Sequence, residues 1–222
     1  DIPDSGEIIL KGSKVNPRHK NQVRNLRKEV QFIFQDPYAA LHPSKTVGKC
    51  ISEVLSVHYS KNKNKSHQLI VDLLSKVGLT EEYIKRYPHE LSGGQRQRVI
   101  IARALAVDPK VLICDESVAA LDISIQAQVL NLLNDLKKNL GLSYLFISHD
   151  LSIVKHMSDR VMIMREGDII EIQEADDLYR NPKNDYTKKL IEAILWSILK
   201  SRIPISSNQK LDIQLGRGIR YS

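Results

Sequence analysis

The run Val111-Leu112-Ile113-Cys114-Asp115-Glu116 constrains this chain more than any other stretch. Four apolar residues in a row, with no polar alternation, make a short strand of the kind buried on both faces of a parallel sheet. Two acids close it. Open α/β sheets hold their ligands at this C-terminal strand edge. Upstream, Ser92-Gly93-Gly94 opens a helix over 95–107, which Asp108-Pro109 breaks. Downstream, Asp122 is placed to cap a helix whose apolar residues Ile125, Val129, Leu132, Leu133, Leu136 and Leu140 recur at helical spacing. Gly141 stops it, and Tyr144-Leu145-Phe146-Ile147 reads as a second buried strand ending in Ser148-His149-Asp150. Strand, helix and strand make a βαβ unit, so the fold class is α/β with a mainly parallel sheet.

The same logic reaches back to Val30-Gln31-Phe32-Ile33-Phe34, a strand by its aromatic and β-branched content, which runs into Gln35. A glutamine there caps a sheet edge or, through its carbonyl and amide, holds a metal ion or orients a water. Side chains alternate along a strand, so Asp115 and Glu116 are expected to point differently. One suits Mg²⁺ held through its water shell; the other suits a general base. His149 reads plainly as a satisfied strand-end histidine, but its position repeats that of the acids and places it in the same crevice. The Ser-Gly-Gly helix start offers free N–H groups to an anion; on its own the tripeptide reads better as a cap.

Between these core pieces, residues 46–87 read as a helical insertion. Val47, Ile51, Val54, Leu55 and Val57 form one helix, and Leu69, Ile70, Leu73, Leu74 and Val77 a second that ends at Gly78. Lys61 to Ser66 is expected to be a loop, and Thr80-Glu81-Glu82 a further helix start. On the 95–107 helix, Arg96, Arg98 and Arg103 read as the polar side. Residues 1–12 read as a turn, Pro3-Asp4-Ser5-Gly6, and a strand, Glu7–Leu10. Residues 13–28 carry Lys14, Arg18, Lys20, Arg24, Arg27 and Lys28, and are expected to be an exposed loop and short helix rather than a nucleic-acid patch. Past the second βα pair come a short helix over 151–158, a hairpin around Arg165-Glu166-Gly167, a helical turn from Ala175 and an amphipathic helix from Tyr186. Trp196 is expected to pack, and the tail after Pro204 to be poorly ordered.

The bulk properties exclude more than they select. No apolar run approaches the roughly 20 residues a membrane-spanning helix needs. The two cysteines, Cys50 and Cys114, lie far apart in sequence, which fits a reducing compartment better than a disulfide framework and cannot by itself make a zinc site. The formal charge of +7 admits nucleic acid or an anionic membrane as a partner, but reads better as a solvated basic surface. Aromatic residues are only 5% and are not interleaved with the basic ones, so base stacking is not indicated and no nucleic-acid partner is expected.

Together these strings resemble the ATPase subunit of ABC transporters, in the family's order, over roughly Ser5 to Ala193. LSGGQ at Leu91–Gln95 is similar to the family signature, VLICDE at Val111–Glu116 to its Walker B strand, Ala120-Leu121-Asp122 to its D-loop, Gln35 to its Q-loop glutamine and His149 to its switch histidine. FQDPYAALHP, ALDISIQAQVLNLL and NPKNDYTKKLIEAI look like the dipeptide/oligopeptide importer branch. The chain departs from the pattern in two ways. It carries no GxxxxGK[ST] phosphate loop, and it reads DESVAALD where the family commonly reads DEPTSALD.

The resemblance implies a P-loop NTPase-like core with a helical subdomain, lacking the N-terminal strands and phosphate loop. The expected organisation is a single partial domain. Residues 1–45 hold a core remnant with the Q-loop, 46–95 the helical subdomain ending in the signature, 96–165 the catalytic core and 166–222 the C-terminal hairpin, helix and tail. It further implies ATP and Mg²⁺ as cofactors, with Asp115 and Gln35 toward the metal, Glu116 as base, and His149 and Gln35 at the γ-phosphate and water. Ser92, Gly93, Gly94 and Gln95 would serve a partner's nucleotide in trans. The implied partners are a second ATPase subunit, transmembrane permease subunits and, indirectly, an extracytoplasmic solute-binding protein, at the cytoplasmic face of the inner membrane. The expectation is an ATP-hydrolysing importer subunit, N-terminally truncated and inactive alone. One alternative is a non-hydrolysing subunit that lends only LSGGQ. A remoter one is a nucleic-acid-associated ABC ATPase, which would carry long coiled-coil or zinc-binding insertions.

Overall fold

The computed structural model describes residues 5–36, 40–58 and 63–202. Expectations for the Pro3 turn, the side chain of Trp196 and the tail after Pro204 fall outside the described residues. The chain divides into two compact units, residues 1–157 and 158–222.

In the first unit, β1 (Ile8–Leu10) and β2 (Ser13–Val15) form an antiparallel pair. Helix α1 (Lys20–Glu29) follows and leads straight into β3 (Val30–Ile33). The helical insertion then runs through α2 (Val47–His58), α3 (Lys63–Lys76) and two 3₁₀ turns, Glu81–Lys85 and Pro88–Glu90. Of the expected loop at Lys61–Ser66, residues 61 and 62 lie outside the described residues and the rest is corrected: α3 is already helical from Lys63. Lysine and asparagine cost a helix little or moderately, and the apolar face from Leu69 onward anchors the turn before it. Gly78, at φ +72°, ends the run in the left-handed conformation a side chain resists.

Helix α4 (Gly93–Leu105), β4 (Val111–Asp115), α5 (Ile123–Leu140), β5 (Ser143–Ile147) and α6 (Leu151–Met157) complete this unit. The central sheet is parallel, in the order β3-β4-β5, with Ile33 beside Cys114 and Cys114 beside Phe146. This is the α/β architecture expected from the sequence. The polar side assigned to α4 is corrected in part: Arg96 and Gln97 are 3% and 0% exposed, inside the core with Val99, Ile101 and Ala102.

The sheet buries one face only. The row Ile33, Cys114, Phe146 points into the core, where Ile33 and Cys114 are fully buried. The alternate row does not: Phe32 is 49% exposed, Leu145 52% and Ile147 45%. The expectation that β5 is buried is therefore corrected, and that for β4 only in part: Leu112 and Cys114 are buried, while Val111 and Ile113 on the other face are half-buried. An unbroken apolar run predicts apolar neighbours on both sides, but among the described residues helices cover one side. Asp115 shares the uncovered row, because alternation from Ile113 puts it there.

The second unit is the hairpin β6 (Arg160–Arg165) and β7 (Asp168–Glu174), then α7 (Ala175–Arg180) and α8 (Asp185–Arg202). Glu166 and Gly167 both have positive φ, which a two-residue turn matched to strand twist requires. Glu171 is buried on the hairpin and accepts hydrogen bonds from the backbone N–H groups of Lys183 (2.8 Å) and Asn184 (3.1 Å). One carboxylate thus pins the segment entering α8.

Candidate functional site

Two sequence-predicted residues, Gln35 and His149, converge on the carboxylate of a third, Glu116. Gln35 follows β3, Glu116 follows β4 and His149 follows β5, so the parallel register sets all three at one sheet edge. The Gln35 Nε2 donates to Glu116 Oε2 at 2.8 Å, and His149 Nδ1 lies 2.9 Å from Glu116 Oε1. Glu116 is the hub of the edge.

Its backbone explains its position. The Glu116 N–H extends the ladder past the last strand residue by donating to the Ile147 carbonyl at 3.0 Å. Its φ is +44°, in the left-handed region that costs a side-chain-bearing residue energy and recurs at functional sites. Simple strand alternation therefore stops at Asp115, and Glu116 turns along the edge instead. The following turn closes by backbone bonds, Ala119 N–H to the Glu116 carbonyl and Leu121 N–H to the Val118 carbonyl, while Ser117 and Val118 are buried beneath it. The SVA sequence thus still forms a tight turn.

His149 is held from the other side. Asp150 donates its N–H to Ser148 Oγ, and its Oδ1 accepts from the Ser152 N–H at 2.8 Å, capping α6. The Glu116 hydrogen bond, and then its charge, raise the His149 pKa above the ordinary histidine value. The imidazole is largely exposed, so solvent moderates the pair. The Asp115 carboxylate has no hydrogen bond or ion pair among the described residues. Nor do those residues hold a cluster of three or more His, Cys, Asp or Glu side chains suited to a metal. The available donor set is hard oxygen: the Asp115 carboxylate and the Gln35 carbonyl, left free because Gln35 bonds Glu116 through its amide nitrogen. That set suits Mg²⁺, which takes few protein oxygens and keeps waters or phosphate oxygens for the rest.

The glycine-turn residues form a separate centre. Ser92 caps α4: its Oγ accepts from the Gln95 N–H at 3.3 Å, and Gln95 Oε1 accepts from the Ser92 N–H at 3.0 Å. This is a capping box, with glutamine in the usual acid position. Gly93 packs near Leu121 and Gly94 against the start of α5; a Cβ on Gly94 would come within 2.5 Å of Ile125 Cγ2. Asp122 sits at the α5 cap position, exposed. The expected capping is corrected in one detail: its side chain makes no cap hydrogen bond, and only its backbone carbonyl accepts, from the Gln126 N–H at 2.8 Å.

Sequence reasoning missed two supports of this centre. Tyr83 Oη accepts from Gln95 Nε2 at 2.9 Å. Arg96 donates from Nε to the Pro88 carbonyl and from Nη2 to the Leu91 carbonyl, tying the loop before the glycines to the helix after them. Helical periodicity marks arginine as a surface residue, so no pattern signals this buried one.

The ABC transporter family model matches residues 1–119, and this decides the family. The chain belongs to the ABC transporter family. It is 51% identical over 191 residues to the oligopeptide transport ATP-binding protein OppF of Bacillus subtilis, covering 85% of this chain and 63% of OppF. It is 48% identical over 189 residues to the glutathione import ATP-binding protein GsiA of Escherichia coli K12, covering 85% of this chain and 30% of GsiA. The chain thus spans less than two thirds of either curated relative. Among solved structures, CbiO1 of Clostridium perfringens, part of an ABC transporter complex, superposes with a TM-score of 0.72 at 26% identity, covering 89% of this chain and 77% of CbiO1. A dimeric ATP-binding cassette bound to ADP and Pi superposes with a TM-score of 0.68 at 26% identity, covering 79% of this chain and 75% of that one. Among the described residues no helix is long and apolar enough to cross a membrane.

Proposed function

We propose that this ABC-family chain is part of an ATP-hydrolysing subunit that powers import of peptides or peptide-like solutes. The observation that carries the chemistry is the bidentate engagement of Glu116 by Gln35 and His149. A carboxylate so held is oriented in advance, and each oxygen keeps a lone pair for a water. Glu116 takes the proton of that water as it attacks a terminal phosphate, and His149 fixes the carboxylate and faces the phosphate oxygens with its other ring nitrogen. Phosphoryl transfer depends on positioning and charge stabilisation, which is what a preset edge supplies.

Asp115 and the Gln35 carbonyl would hold Mg²⁺. Its charge would offset that of the phosphate oxygens. Ser92 to Gln95 serve a different nucleotide, the one held by a second ATPase subunit. The Ser92 hydroxyl accepts within its own capping box and so keeps its proton to donate outward. The similarity to OppF, an oligopeptide transport ATP-binding protein, and to GsiA, a glutathione import ATP-binding protein, supports the solute class; permease partners and a site at the cytoplasmic membrane face are part of the proposal. The 222 residues contain no GxxxxGK[ST] run, and we expect them to bind Mg-ATP weakly alone.

The test is Glu116→Gln in the complete gene product. ATP turnover falls by about 10²–10⁴, the range for loss of a general base, while ATP binding persists. Near-wild-type single-turnover hydrolysis overturns the assignment of Glu116 as base.

A further inference from the structure

Helix α1 presents a cationic stripe that the reading above leaves unused. Lys20, Arg24 and Arg27 stand at i, i+4 and i+7 on one helix face, all exposed, with exposed Arg18 just before the helix. Acids nearby are already engaged: Glu29 pairs with Lys11 at 2.8 Å and Glu7 with Lys14. None of Arg18, Lys20, Arg24 and Arg27 forms an ion pair with a described acid.

The stripe also has a shape. A cleft of about 370 Å³ runs between α1 and the end of α2, with the four cations around Val23 and Val57. The guanidinium of Arg24 is fixed there by donating from Nη2 to the Val57 carbonyl at 2.6 Å, near the C-terminal end of α2 where carbonyls are otherwise unmet. Its remaining N–H groups are left to an anion. A rim of cations around an apolar floor matches a phosphate headgroup joined to a glycerol backbone. Basic clusters on amphipathic helices bind anionic leaflets in this way. Stacking of bases needs aromatic faces, and none lines the cleft among the described residues.

We propose that α1 and this cleft dock on an anionic membrane surface, taking phospholipid headgroups between Arg18, Lys20, Arg24 and Arg27. This does not rest on the ATPase reading; it follows from charge and shape, and would hold for a chain that hydrolyses nothing.

The test is vesicle sedimentation of the 222-residue chain in moderate salt. Binding to mixed phosphatidylcholine–phosphatidylglycerol vesicles is expected, with little to phosphatidylcholine alone. Basic residues near such a surface contribute about 1 kcal/mol each, so reversing two, K20E/R27E, lowers the partition coefficient about 30-fold or more. The charge-keeping exchange K20R/R27K retains binding. The variant K188E/K189E in α8 changes net charge equally and leaves binding near wild type. The proposal is overturned if K20E/R27E binds like wild type, if K188E/K189E loses as much, or if the chain binds duplex DNA but not the anionic vesicles.

Discussion

His149 Nδ1 lies 2.9 Å from Glu116 Oε1, so two residues 33 positions apart form one acid–base unit at the sheet edge. The pair raises the His149 pKa, through the hydrogen bond first and the carboxylate charge second. A raised histidine value contributes stability that is fully present below the ordinary pKa of about 6.5 and is lost as pH rises through the folded value. An NMR titration of His149 is therefore expected to show a midpoint above that of an unpaired histidine, returning toward it in Glu116→Gln. An unchanged midpoint in the variant would separate the two residues electrostatically.

Gly94 has no room for a side chain, since a Cβ would sit 2.5 Å from Ile125 Cγ2. Gly94→Ala should cost about 1–3 kcal/mol in denaturant unfolding, the usual range for overpacking. Shortening the neighbour, in Gly94→Ala with Ile125→Ala, should cost less than the two single changes summed, because contacting sites couple. Strict additivity would place the cost of Gly94→Ala elsewhere, in helix geometry at the capping box.

Glu171 supplies an acid-range prediction for the second unit. Burial pushes its carboxyl up, but the neighbouring Thr187 hydroxyl and hydrogen bonds from the Lys183 and Asn184 backbone N–H groups and the Gln173 amide outweigh it and hold the pKa at about 2. A depressed carboxylate contributes stability that is present above the unfolded value near 4.5 and is lost as pH falls toward 2. The stability difference between wild type and Glu171→Gln, from thermal melts, should be constant near neutrality and shrink from pH 4.5 downward. A difference that stays level across that window would refute the role of the charge.

The uncovered sheet row predicts a sticky surface. Phe32 and Phe34 stack at 5.6 Å between centroids, and Leu145 and Ile147 share the exposure. Contiguous apolar patches of this sort bind apolar probes and promote association. The 222-residue chain should enhance anilinonaphthalene sulfonate fluorescence under native conditions. Phe32→Ser with Leu145→Ser should reduce that signal and lower the melting temperature little, since these side chains bury little to lose. Dye binding unchanged in the double variant would locate the patch elsewhere.

Local pattern settled much of this protein. Strand chemistry at 30–34 and 111–115, periodicity in 123–140 and the stop at Gly141 are short-range properties, and neighbouring residues enforce them whatever the rest of the chain does. The strand-end positions of Gln35, Glu116 and His149 followed from the same grammar, because parallel strands line up their C-terminal ends. Tertiary structure decided the rest. That Gln35 and His149 meet on Glu116, that Arg96 is buried against the Pro88 and Leu91 carbonyls, and that one row of an unbroken apolar strand faces solvent all depend on which elements pack together. A sequence states how a segment prefers to fold; burial and hydrogen-bond partners belong to pairs of segments distant in the chain, and only packing chooses those.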